Sequence, residues 1–116
     1  MELKTFYAAV GGDAAAVLSR LPGEALVRRF LRKFLADPAY SELKAALTAG
    51  DIPTAFRAAH TIKGTAANLG LDDLACAASD LTEALRGAAV LPPQELVEAV
   101  DAAYANTVEQ IRRLDA

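Results

Sequence analysis

Apolar residues recur every three or four positions through most of this 116-residue chain, and glycines and prolines cut the recurrence into separate runs. That spacing belongs to amphipathic helices facing a common core, not to strands, whose apolar residues alternate. The last run shows it most clearly. Val97, Val100, Tyr104, Val108, Ile111 and Leu114 follow Pro92-Pro93. They predict a helix of about 22 residues, roughly 33 Å long, with Pro93 accommodated in its first turn.

The other runs read the same way. Leu3, Phe6, Tyr7 and Val10 predict a helix over about 2–9, ended by Gly11-Gly12. Asp13 then caps a short helix over about 14–21, and Pro22-Gly23 marks a turn. From Glu24 onward, Leu26, Val27, Phe30, Leu31, Phe34 and Leu35 make a wide stripe, with Arg28, Arg29, Arg32 and Lys33 on the other side. Proline cannot donate the i→i−4 bond, so Asp37-Pro38 interrupts this run. Tyr40, Leu43 and Leu47 resume it out of phase. Two outcomes fit: a new helix capped by Asp37 with Pro38 at its first position, or one long helix bent there. Gly50 closes the run and Asp51 caps a helix over 53–69 that buries Phe56, Ala59, Ile62, Ala66 and Leu69. Gly70 stops it. Asp72 is expected to cap a helix over 73–86 with Leu74, Ala77, Ala78, Leu81 and Leu85 inward.

Short links between such helices predict an all-α, antiparallel up-down four-helix bundle. Its members are the interrupted run over 24–49 and the helices starting near Pro53, Asp73 and Pro93. Two short N-terminal helices over about 2–21 cap one end, and the bundle occupies about 24–114. The expected organisation is one domain over 1–116, without repeats or a disordered tail.

Composition narrows the function. The single cysteine, Cys76, and the single histidine, His60, rule out an intrachain disulfide and a four-ligand zinc site. A net charge of −3 argues against a nucleic-acid partner. No apolar run approaches the roughly 20 residues that cross a bilayer, and the N-terminus lacks a secretory pattern. The expectation is a cytoplasmic protein with no membrane partner, and a monomer for want of an oligomerisation signal.

The informative stretch is His60-Thr61-Ile62-Lys63-Gly64-Thr65-Ala66-Ala67-Asn68-Leu69-Gly70. On a helical projection His60 lies about 130° from the centre of the apolar face, so it should meet solvent. Gly64 is one turn later on the same side, Ala67 follows, and Arg57 is one turn earlier. Lys63 is within i,i+3 reach of the imidazole. Histidine is commonly neutral near pH 7, and a neutral imidazole offers a lone-pair nitrogen that can attack phosphorus. Phosphoryl transfer needs in-line approach and positive charge near the equatorial oxygens; Lys63, and with it Arg57, can supply that charge. Glycine inside a helix costs about 1 kcal/mol relative to alanine. Beside an exposed histidine, that cost clears a surface on which a partner can settle.

The pattern His-x-x-Lys-Gly-x-Ala-x-x-Leu-Gly, with Ala58-Ala59 before it, Ala49-Gly50-Asp51 upstream and Leu71 to Ala75 after it, resembles the signature of histidine-containing phosphotransfer (HPt) domains. The resemblance implies a phosphorelay intermediate, not an enzyme in its own right. His60 would be the phosphoacceptor on its outer ring nitrogen, Lys63 would support the phosphoryl group, and Gly64 would admit the partner. Arg57, Thr61, Ala67 and Asn68 would flank the contact. Partners would be receiver domains of response regulators and a sensor or hybrid histidine kinase, with Mg2+ held by the receiver and no cofactor on this chain. Ile62 stands where leucine is common, a change without chemical consequence. The other reading is a non-catalytic adaptor bundle that docks receiver or kinase domains. Taken singly, a surface histidine or a helix lysine is ordinary; the joint spacing of His60, Lys63 and Gly64 favours the phosphoacceptor. Cys76 reads as a small packing residue, and the basic face of Arg28, Arg29, Arg32 and Lys33 as solvated. No Gly-rich phosphate loop and no Ser/His/Asp set competes with this chemistry.

Overall fold

Apolar stripes become helices, and the glycine and proline interruptions become turns or helix ends, across residues 1–114, which the computed structural model describes. Among these residues the order is α1 (Leu3–Ala9), α2 (Ala14–Arg20), α3 (Glu24–Phe34), α4 (Ala39–Ala49), α5 (Ile52–Leu69), α6 (Asp72–Leu85) and α7 (Gln94–Leu114). No strand occurs among them. The final two residues of the expected domain, 115–116, lie outside the described residues.

Of the two outcomes open at Pro38, the break is the one that forms. The Asp37 carboxylate accepts a hydrogen bond from the Ala39 amide at 2.8 Å, and α4 starts at Ala39, one residue later than a proline-first helix would. The run over 24–49 is therefore two helices of 11 residues each. Asp72 departs from the expected role. It is the first residue of α6, not its cap; Leu71 stands at the cap without a side-chain bond. Asp72 and Asp73 still favour that end of the helix, because carboxylates in a first turn offset the positive end of the helix dipole.

Helices α4 to α7 pack in sequence order, α4 on α5, α5 on α6 and α6 on α7. Small residues permit this closeness: Ala55, Ala59 and Ala66 of α5 have no accessible surface, and Ala78 of α6 has almost none. Leu43, Ile62, Leu74, Leu81, Leu85 and Ile111 fill the layer between them. Each such side chain stabilises the fold by roughly 1.5–3 kcal/mol on burial. Helix α3 lies against α2 and α5, and α1 against α2 and α7.

The N-terminal helices are tied to the α5–α6 turn and to α7 by polar contacts. The buried Tyr7 hydroxyl donates to the Leu69 carbonyl at 2.8 Å. The Asp73 amide donates to Val10 O, and Asn106 Nδ2 donates to Ala9 O. Burial pushes the Tyr7 phenol up to about 12, with Arg20 opposing and Asp72 adding to the rise. Gly70, which ends α5, has a φ of +74°, and a Cβ on it would run into Val17 and Tyr7. Gly11 shares that combination, with a φ of +76° and the Asp73 carboxylate where a Cβ would stand.

Candidate functional site

Helix α5 is fixed at both ends. The Asp51 carboxylate accepts from the Thr54 amide at 3.2 Å, and Gly70 turns the chain away at the C-terminus. The hydrogen bonds to Thr54, with Arg57 adding, hold the Asp51 carboxyl below its ordinary range. Ala55, Ala59, Ile62, Ala66 and Leu69 are buried, so the rotation of α5 about its axis is set by packing. Of the projected apolar face only Phe56 departs from expectation, being half-buried at the edge of the core.

The opposite face carries the site. His60, Thr61, Gly64, Ala67, Asn68 and Arg57 are exposed, and Lys63 is half-buried between His60 and the core edge. A Cβ at Gly64 would meet nothing within 4 Å. No side chain therefore rises from the helix at Gly64, and exposed Ala67 adds only a methyl group beyond it.

Two of the flanking residues are turned elsewhere. Arg57 Nη2 donates to Thr54 Oγ1 at 3.2 Å, which draws the guanidinium back toward the start of α5. Thr61 Oγ1 donates to the Arg57 carbonyl at 2.9 Å, so its hydroxyl is engaged with the helix backbone. Asn68 is two turns beyond His60. It lines a groove of about 480 Å3 between α2, α3 and α5, together with Arg20, Phe30, Lys33 and Thr65. Arg20 reaches across to the carbonyls of Ala67 and Asn68 at 3.5 and 3.4 Å, near the negative end of the α5 dipole.

Three neighbours of His60 escaped the sequence reading. The Phe56 ring is parallel to the imidazole, 7° apart in plane and 6.1 Å between centroids. Arg86, at the end of α6, lies over Phe56 with its guanidinium carbon 5.0 Å from the ring centre. Glu83 pairs with that guanidinium. The spacing of Glu83 and Arg86 marks a helix ion pair, but which helix face they meet depends on how α6 packs on α5, a relationship periodicity does not contain.

The architecture among the described residues is all-helical, and it presents a solvent-facing imidazole on a helix face that Gly64 leaves clear. The family model for the Hpt domain matches residues 28–113, and the chain belongs to that family. Membership places it in phosphotransfer within two-component signalling, where Hpt modules are phosphocarriers that act with receiver domains and histidine kinases. Comparison with curated proteins and with solved structures gives no match. No helix among the described residues is long and apolar enough to cross a membrane.

Proposed function

We propose that this protein is a phosphorelay intermediate that accepts a phosphoryl group on His60 and exchanges it with aspartates of receiver domains. The observation that carries this reading is the exposure of His60 one turn from Gly64, where the missing side chain leaves open space. The outer ring nitrogen attacks phosphorus in line. Lys63 stands close enough along the helix to bring positive charge to the equatorial oxygens. Gly64 and Ala67 let the receiver's active face approach, and Arg57, Thr61 and Asn68 border the contact. Because Arg57 is drawn toward Thr54, Lys63 is the principal cation supplied by α5.

In this reading the protein holds no catalytic machinery or cofactor of its own. Magnesium sits on the receiver, and a histidine kinase or a phosphorylated receiver serves as donor. The chain forms one cytoplasmic, monomeric domain over 1–116. The bundle runs up and down, and the helices before residue 22 cap one end. The contacts from Tyr7 to Leu69 and from Val10 to Asp73 support that capping role.

The test is incubation with a receiver domain phosphorylated on its aspartate. Label should move to this protein in an acid-labile, base-stable form. His60→Gln should take none while keeping its helix content. Label on that variant contradicts the proposal, and receiver binding without any transfer points to an adaptor instead.

A further inference from the structure

Outside α5, one pair of charged side chains reaches the Phe56 ring that borders the histidine. Arg86 follows the last turn of α6, and its guanidinium rests on the Phe56 ring. Glu83 grips that guanidinium with both carboxylate oxygens, at 3.1 Å to Nη2 and 3.2 Å to Nε. The same carboxylate is held below its ordinary range, chiefly by Arg86, with smaller contributions from the charges of Lys63 and His60. One anion on α6 therefore sits among the cations of the site. Arg86 is parked on an aromatic face one helical turn from the imidazole.

We propose that the Glu83–Arg86 pair sets how tightly His60 retains a phosphoryl group, with Arg86 leaving Glu83 for the phosphoryl oxygens on loading and returning to it on unloading. This rests on the reading of His60 as phosphoacceptor. In the transfer, the lone pair of one imidazole nitrogen forms the N–P bond. The O–P bond of the aspartyl phosphate breaks, its electron pair leaving with the carboxylate oxygen. The ring keeps its proton on the other nitrogen. Loading thus places a phosphoryl dianion beside a guanidinium that was held by a carboxylate. Guanidinium binds phosphate with the same two-pronged geometry as carboxylate, so the exchange keeps the number and kind of its bonds. The bond to be broken is weak, because the Glu83 and Arg86 side chains are 57% and 56% exposed and exposed pairs are screened by water. Glu83 is a positioning residue here, acting through Arg86 and by its own charge.

The test is the equilibrium distribution of phosphoryl between His60 and a receiver domain loaded with acetyl phosphate. Both proteins are kept dilute enough that few complexes persist. The distribution then depends only on the loaded and unloaded forms of each separate protein, so altered docking drops out. Arg86→Gln should lower the share on His60 about two- to fivefold, the range expected for an exposed charge contact. Glu83→Gln should raise it by a similar factor, and should do less when added to Arg86→Gln. Circular dichroism should match the parent protein in all three. Single variants that keep the parental distribution, or that shift it in the same direction, overturn the proposal. A parent protein that takes no label at His60 overturns the phosphoacceptor reading as well.

Discussion

Phe56 and His60 stand one turn apart on α5 with parallel rings, so the exposed imidazole is bordered by a side chain that is itself seated against the core. Phe56→Ala should therefore have two effects. Lost burial of a half-buried ring should cost about 1–2 kcal/mol in urea unfolding. The His60 ring should also lose its neighbour, seen as sharper imidazole resonances by NMR. Phe56→Leu should recover most of the stability without restoring the ring order.

In the proposed reading, Gly64 separates folding from partner access. It is helical, and nothing would crowd a Cβ there. Gly64→Ala should stabilise the protein by about 0.5–1 kcal/mol, because alanine is the better helix former. Gly64→Phe should remain folded but slow transfer from a receiver by roughly tenfold or more, since a ring there stands where the partner must settle. Thermal unfolding and label-transfer rates check the two halves.

The helix ends and the solvent face of α5 were legible because they depend on local rules. Asp13 and Asp51 cap as expected, Gly50 and Gly70 adopt the left-handed backbone that ends a helix, and the apolar stripe of α5 aims His60 outward. The exact start of α6 was not legible, because Asp72 suits either a cap or a first-turn position and the packing of Leu71 in the core decides. Arg86 and Glu83 were hidden for a different reason. Their relation to His60 arises only when α6 lies against α5. The tie of Arg57 to Thr54 is a rotamer choice that spacing does not fix.

The N-terminal helices should prove sensitive at the α5–α6 turn. Gly70→Ala combines a left-handed φ with a Cβ that meets Val17 and Tyr7, and should cost about 2–4 kcal/mol. Tyr7→Phe removes the buried bond to Leu69 O and should cost about 1 kcal/mol. The Tyr7 phenol is raised to about 12, so the folded state holds its proton more tightly than the unfolded chain. That part of the stability is complete below the ordinary value of 10.0 and lost as pH rises toward about 12. Tyr7→Phe should flatten this alkaline decline in denaturation measurements.

Acid should act at the other side of the fold. Asp101 accepts from the Tyr40 hydroxyl at 2.6 Å and from Lys44 at 2.8 Å, joining α4 to α7 beside the stacked rings of Tyr40 and Tyr104. Burial alone would raise the Asp101 carboxyl, but the bonds from Lys44 and Tyr40 outweigh it and the net shift is downward from 3.8. The folded state therefore releases this proton more readily than the unfolded chain. The stability it lends is present above about pH 4 and is lost as pH falls through the lowered folded value. Asp101→Asn should lower stability at pH 7 by about 1 kcal/mol and reduce the slope of the acid limb.

If His60 carries the phosphoryl group, phosphorus NMR of the protein mixed with a phosphorylated receiver will detect it there. A phosphohistidine resonance should appear in the parent protein and vanish in His60→Gln, while the receiver's aspartyl phosphate signal declines. A parent protein that shows no such resonance, or a His60→Gln variant that does, means that His60 is not the phosphoacceptor.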